Sequence, residues 1–546
     1  MLRTTELRLD LDHDPADIEA AVRERLGLAP DVTLDVRIVR RGYDARNRRA
    51  IKLVYTVDIT LPPDLERDLL ARRHPAVIPA PDTAYRHHPS PPPGGLPRPV
   101  VIGAGPCGLF AALVLAQWGF RPIVIERGQS VRIRTADTWR LWREGTLDPE
   151  SNVQFGEGGA GTFSDGKLWS GVRDPQRLGR KVLEEMVRAG APDEILTASK
   201  PHIGTFRLVT VVTEMRAQIE ALGGEYRFAT RVEAIEGSPG GITGLRLSDG
   251  ATVAATHVIL APGHSARDTF AMLHASGIAM DAKPFSIGVR IEHPQSDIDR
   301  ARFGSHAGHP ALGAADYKLV HHAASGRSVY SFCMCPGGQV VAATSEPGRV
   351  ATNGMSQYSR AERNANAGLV VGIDPSDYRL DDGSAVPGDP LAGIAYQRHW
   401  ERLAFVAGGG DYRAPAQRVG DFLAGRPSTE LGGVIPSYQP GVTPTDLARC
   451  LPGFVIDSLR EAIPAFASRI PGFDHPDAVM TGVETRTSSP LRIRRDEEFQ
   501  SPSMPGLFPA GEGAGYAGGI LSAGIDGIRV AEALAASMTS RRQRAA

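Results

Sequence analysis

Two stretches of this 546-residue chain fit the dinucleotide pattern G-x-G-x-x-G. One is Gly103-Ala104-Gly105-Pro106-Cys107-Gly108 and the other Gly156-Glu157-Gly158-Gly159-Ala160-Gly161. In that pattern one glycine makes a tight turn, one lets pyrophosphate approach the backbone, and one lets a helix press on a strand. The pattern carries this meaning only between a strand and a helix. The first stretch has that setting. Apolar Val100 to Ile102 precede it, and Leu109 to Trp118 are apolar over a helical length. Gly119 closes the helix, and "PIVIE" reads as a second buried strand ending in Glu126 and Arg127. A carboxylate at Glu126 suits a ribose diol. The helix N-terminus offers its unpaired N–H groups to the phosphates.

Two later stretches select the dinucleotide. "ATHVILAPGHS" sets Ala261-Pro262-Gly263 after an apolar strand and resembles the A-T-G stretch of flavoproteins with two dinucleotide domains. "GLFPAGEGAGYAGGILSAGIDGIRVAEAL" resembles their C-terminal motif. There a glycine–acid pair, here Gly511 and Glu512, precedes a helix, opened here by Gly519 and Ile520, that points at the flavin. The usual acid is Asp, and Glu512 is one methylene longer. In "YRFATRVEAIEG", Val232 falls on a strand that lies beside the adenine in such proteins. The resemblance implies FAD rather than NAD.

The likeness extends further. "NVQFGEGGAGTFSDGKL", "KPFSIGVRIEHPQ", "SFCMCPGGQVV", "TNGMS" and "GVETRTSSPLRI" resemble a bacterial family of FAD-dependent dehydrogenases or oxidoreductases, most without an assigned substrate. It covers nearly the whole chain. It implies an α/β fold: a glutathione-reductase-like, Rossmann-type FAD domain with an inserted α+β domain and a small N-terminal α+β domain. It does not imply a substrate.

The second glycine stretch lacks the Rossmann setting, since "TFSDGKLWSG" follows it without an apolar helix. A segment carrying Gly158, Gly159, Ala160 and Gly161 suits a loop laid against a flat ring, because glycine lets backbone N–H groups come close. Lys167 is then a candidate positive group near the flavin pyrimidine. Cys333 and Cys335 on one regular strand face the same side, with Cβ atoms about 6–7 Å apart. A disulfide needs about 3.8 Å. That spacing argues against an obligatory redox pair, although the Pro336-Gly337-Gly338 turn can relax it. His293, at the end of "GVRIEH", is a candidate proton carrier. Arg486 and Arg492 are candidates for binding an anionic substrate or for ordering the Ser488-Ser489-Pro490 turn. His321 and His322 show no metal-ligand spacing with the cysteines, so no metal is expected.

These residues need elements to position them. Residues 1–73 alternate as strand, helix, two strands and helix, a small α+β domain. The arginines of "RRGYDARNRR" read there as solvated surface. Residues 74–99 are Pro-rich, a linker or strap. Residues 100–284 and 481–546 read as a discontinuous FAD domain around an inserted substrate or cap domain at 285–480. The formal charge of −1 excludes a strongly electrostatic partner such as bulk DNA. No apolar run reaches the ~20 residues that span a bilayer, and the charged start of the chain suggests a cytoplasmic protein. The function expected is hydride transfer between FAD and an organic substrate, with an unidentified electron donor or acceptor. The alternatives are a monooxygenase using NAD(P)H and oxygen, and a flavoprotein acting on or binding RNA or a protein, since tRNA-modifying flavoproteins share this fold type. Oligomeric state is not legible.

Overall fold

The computed structural model describes residues 1–90, 94, 97–238 and 240–545. At its centre is a five-stranded parallel sheet in the order Leu507–Pro509, Val258–Leu260, Val100–Ile102, Ile123–Ile125, Glu225–Arg227. Each central strand is short and wholly apolar, as a parallel strand buried on both faces must be. The helix Pro106–Gln117 starts at the first glycine motif, and Cys107 to Ala116 are all buried. The reason is the C-terminal helix Ile520–Ala545, which lies against it. Gly527 makes that contact possible: a Cβ there would collide with the Cys107 carbonyl oxygen. A three-stranded antiparallel sheet, Val232–Ser238, Gly241–Leu247 and Thr252–Ala254, completes this domain.

The inserted domain is an eight-stranded sheet. Its long central strands are Phe285–Pro294, Asn364–Ile373 and Ser328–Ala342, paired antiparallel. Helices Ala392–Gly408 and Gly453–Ala467 pack on it. The strand Val479–Glu484 pairs with Phe285–Pro294. The inserted sheet therefore runs past the expected boundary at 480. Where the chain passes in and out of this domain, Met280–Ala282 pairs with Leu491–Ile493, so the two crossings are stitched together.

The N-terminal domain has the expected elements, with strands Leu2–Leu9, Asp35–Asp44 and Lys52–Thr60 and helices Pro15–Leu26 and Pro63–Ala71. It also takes in Ile78–Pro79 as an edge strand, beyond the expected limit at 73. The arginines of its hairpin, Arg40, Arg41, Arg46, Arg48 and Arg49, are exposed as expected, while the hairpin's backbone and apolar side chains dock on the rest of the chain. Arg41 exchanges backbone hydrogen bonds with Thr197 and Ser199, Tyr43 packs edge-on against Phe303, and Ile51 is buried in the core of the inserted domain. The Pro-rich segment is a strap: Tyr85 donates to Glu532 on the C-terminal helix, and His87 packs against Trp118. Within it, Pro91 to Pro93, Gly95 and Leu96 lie outside the described residues.

The crossing of the two buried helices sets the floor of the FAD domain. Gly527→Leu is expected to destabilise that domain by about 1–3 kcal/mol through overpacking. A lower urea midpoint, read by loss of bound flavin, checks it.

Candidate active site

Both glycine stretches open onto one cavity of about 760 Å³, within the usual range for ligand sites. Gly103, Gly105, Pro106, Cys107, Glu126, Arg127 and Val232 line it from the nucleotide domain, and so do Ala261, Gly263, Gly511, Glu512, Gly519 and Ile520. Gly159, Ala160 and Gly161 line it from the second stretch, and Tyr330 to Met334 from the inserted sheet. Two expected residues do not reach it. Gly108 lies beneath Gly103, whose carbonyl oxygen a Cβ would strike, so it serves helix–strand packing. Gly158 donates its N–H to the Ala104 carbonyl at 2.8 Å.

Glu126 is buried and accepts three backbone N–H groups: Ala104 at 2.8 Å, Gly128 at 2.9 Å and Gly156 at 2.9 Å. A carboxylate has about four acceptor positions, which leaves room for one hydroxyl. Arg127 is held by Glu150 and Asp268 and lies 4.0 Å over the Phe155 ring.

The second stretch is a bridge. Arg134, fully buried, donates to the carbonyls of Asn152, Val153, Gly156 and Glu157 and so shapes its head. A Cβ on Gly159 would sit 2.8 Å from the Gly105 Cα. The two glycine loops are therefore in backbone contact, and Gly159 is not confined to the far end of the site. The loop's tail grips the inserted domain. Asp165 pairs with Arg360 and accepts from Ser356, and the Lys167 ammonium donates to the Met334 carbonyl. Lys167 lines the cavity with its ammonium already engaged by that carbonyl.

His293 is a correction. It is buried outside the cavity lining, donates from Nε2 to the Phe473 carbonyl at 2.7 Å, and packs on that ring. Burial pushes its pKa down to about 4, so it stays neutral. Arg486 does line the cavity, but its guanidinium is spent on Glu401 at 3.1 Å, Ser345 at 2.6 Å and Ser265 at 3.2 Å. Glu401 also takes Arg267 at 2.7 Å. Arg486 is thus a buried clamp between the domains, with its charge neutralised. Arg492 is exposed, with its guanidinium 5.4 Å over the Tyr516 ring.

Glu512 and His264 form a pair that sequence reasoning half missed. In sequence Glu512 reads as the acid of the C-terminal flavin motif, and His264 in "APGHS" carries no signal of its own. His264 Nδ1 lies 3.6 Å from Glu512 Oε1, both side chains line the cavity, and His264 Nε2 has no partner among the described residues. Burial pushes Glu512 up to about 7, partly offset by Lys283. Burial, with Arg486 and Arg267 nearby, pushes His264 down to about 3. The pair can thus hold its proton on the carboxyl near neutrality. Asp526 fixes this turn by accepting the Gly511 N–H at 2.7 Å while paired with Arg495.

The cavity fits FAD by its own features. The first loop and the N-terminus of Pro106–Gln117 offer N–H groups to a pyrophosphate, Glu126 keeps a free acceptor, and a Cβ on Gly263, Gly518 or Gly519 would meet nothing within 4 Å.

A family model described as "FAD-dependent protein, C-terminal domain-like" matches residues 284–487, and one described as a domain of unknown function matches residues 1–60. An uncharacterized protein of Clostridium beijerinckii is 45% identical over 535 residues, covering 97% of this chain and 98% of its own. Among solved structures, the halogenase PltM is 13% identical with a TM-score of 0.37, over 82% of this chain and 70% of that chain. A geranylgeranyl bacteriochlorophyll reductase-like protein of Thermoplasma acidophilum is 12% identical with a TM-score of 0.35, over 82% and 79%. CtdE in complex with FAD is 12% identical with a TM-score of 0.31, over 82% and 90%. No described helix is long and apolar enough to cross a membrane.

Two outcomes follow from the site. Glu126→Gln replaces one accepting oxygen with an NH₂ that cannot take a backbone N–H. FAD binding should weaken by roughly 1–3 kcal/mol, read by flavin fluorescence titration, and an unchanged affinity would remove Glu126 from the site. Glu512 has a folded pKa above its ordinary 4.5. The folded protein therefore binds more protons than the unfolded chain between about pH 4.5 and 7. Stability from this group is present below 4.5 and lost as pH rises through 7. Glu512→Gln should flatten that part of the pH–stability curve, measured as thermal midpoints of the cofactor-free protein.

Proposed function

The chain belongs to the family of FAD-dependent proteins that carry this C-terminal domain, and on that premise we propose that it is an oxidoreductase transferring hydride between FAD and an organic substrate. Its nucleotide domain is read as glutathione-reductase-like. The observation that carries this reading is the single cavity shared by the first glycine loop, the second glycine loop and the inserted-sheet residues Tyr330 to Met334. FAD, when bound, supplies two-electron hydride chemistry, while the protein supplies position and electrostatics. Glu126 would accept a ribose hydroxyl. Gly103 to Gly108 would hold the pyrophosphate. The Gly159 to Lys167 segment ties this region to the inserted domain, so that the substrate face and the nucleotide face keep a fixed spacing. The Glu512–His264 pair supplies a proton held on Glu512 near neutral pH, at the cavity wall.

The purified protein is expected to carry about one FAD per chain. Anaerobic mixing with a panel of hydride donors should bleach the flavin with at least one of them. Glu512→Gln should remove an ionisation near pH 7 from the reduction rate. Oxygen uptake driven by NAD(P)H, with hydroxylated product, would replace this reading with a monooxygenase. A salt-dependent RNA shift without reduction by any donor would replace it with an RNA-directed role.

A further inference from the structure

The strand Ser328–Ala342 is not regular where its cysteines lie. Its pairing with Asn364–Ile373 slips between Phe332 and Cys335 and again between Cys335 and Gly338. Cys333 sits at φ +43°, a conformation that L residues other than Asn and Asp rarely adopt. The spacing of about 6–7 Å expected for alternate residues of an extended strand therefore does not apply. Cys335 Sγ lies 3.2 Å from the Cys333 carbonyl oxygen, to which its S–H donates. The two thiols differ in setting. Cys333 is half-buried and lines the cavity, while Cys335 is fully buried behind it. Two cations flank them. The Lys167 ammonium is bound to the carbonyl of Met334, the residue between them, and the Arg290 guanidinium donates to the Cys333 carbonyl at 3.0 Å. Arg290 is itself fixed by the buried Glu484 at 3.0 Å. The other two cysteines, Cys107 and Cys450, are buried, and burial pushes both thiols up.

We propose that Cys333 and Cys335 form a dithiol–disulfide couple that passes two electrons between the flavin and an organic disulfide entering the cavity, with Cys333 the attacking and Cys335 the resolving sulfur. The neighbouring Cys335 thiol, aided by Lys167 and Arg290, holds Cys333 well below the usual thiol range against the effect of burial, and the neighbouring Cys333 together with burial holds Cys335 above it. A low-pKa thiol facing the substrate and a protonated thiol behind it match the two roles.

The chemistry balances. The Cys333 thiolate attacks one sulfur of R–S–S–R, forms the mixed disulfide and releases one thiolate. Cys335 gives up its proton, attacks the Cys333 sulfur and releases the second. With one further proton from solvent the products are the Cys333–Cys335 disulfide and two R–SH. The disulfide takes two electrons from reduced flavin, which regenerates the Cys333 thiolate and the Cys335 thiol and sends one proton to solvent. The net change is reduction of R–S–S–R to two thiols with oxidation of FADH₂ to FAD.

The couple rests on the preceding reading only in its use of FAD, and the experiment separates the two. The FAD-loaded protein, reduced at its thiols and desalted under argon, is treated with dithiobis(nitrobenzoate) as the probe. The wild type should release two nitrothiobenzoates from this site, retain no adduct and yield a Cys333–Cys335 disulfide on peptide mass mapping. Cys335→Ser should release one and keep a mixed disulfide on Cys333. Lys167→Met should slow the first release about tenfold by raising the thiol pKa. The disulfide form should then take up four electrons per FAD from dithionite, against two for Cys333→Ser. A stable adduct on wild-type Cys333, or no reaction there, overturns the couple. Uptake of only two electrons by the wild-type disulfide form overturns its link to the flavin and leaves the FAD-enzyme reading standing. A chain that holds no FAD defeats that reading, and the thiol arm still decides whether the couple exists.

Discussion

The carboxylate of Glu126 is the point on which this site turns. It gathers N–H groups from three segments: Ala104 in the first glycine loop, Gly128 at the exit of its own strand, and Gly156 at the head of the second loop. Each of these amides is buried, and a buried amide left unpaired costs about 1–3 kcal/mol. One anion thus sets the spacing of both loops. The Gly158 N–H then bonds the Ala104 carbonyl, and Gly159 settles against Gly105. No side chain separates the two loops, so the second is as much a wall of the nucleotide site as the first.

From this junction the second loop reaches outward. Arg134 satisfies four of its carbonyls at the head, while Asp165 and Lys167 bind the inserted domain at the tail. A second tie runs through Arg267, Arg486 and Glu401, all buried. Removing one partner of such a cluster leaves an uncompensated buried charge, which costs far more than the pair is worth against apolar packing. Such a cluster fixes how the inserted sheet faces the nucleotide domain. It explains why a charged residue that looks like a substrate receptor in sequence is a structural clamp in space.

What was legible in sequence follows from range. The first motif is a local unit: strand, turn, helix, strand and acid lie within about thirty residues, and each glycine's task is set by its neighbours. The elements of the N-terminal domain were legible for the same reason, through alternation and helical spacing. His293 was misplaced because "RIEH" shows only that a polar residue ends an apolar run. That Phe473, 180 positions later, supplies its partner is a tertiary fact. Arg486 needed Glu401 to be interpreted, and Glu401 lies on a helix with no motif of its own. His264 was overlooked because it became significant only opposite Glu512, some 250 residues on.

The cysteines show the limit most sharply. The sequence argument against a thiol pair assumed a regular strand, and that assumption is reasonable for a run of apolar and small residues. Nothing in "SFCMC" announces a left-handed residue. Gly337 and Gly338, where the second register shift ends, lie where backbone from Arg360 and Met355 comes too close for any Cβ. Arg290 and Lys167 then take up the carbonyls that the broken ladder frees at Cys333 and Met334. A bulge re-aims side chains where a ladder is interrupted. Here the ladder's loss turns one sulfur toward the cavity and keeps the other behind it, and the cations that repair the backbone are the same ones that favour a thiolate. The cations that satisfy the backbone at Cys333 and Met334 are thus the ones nearest the two thiols.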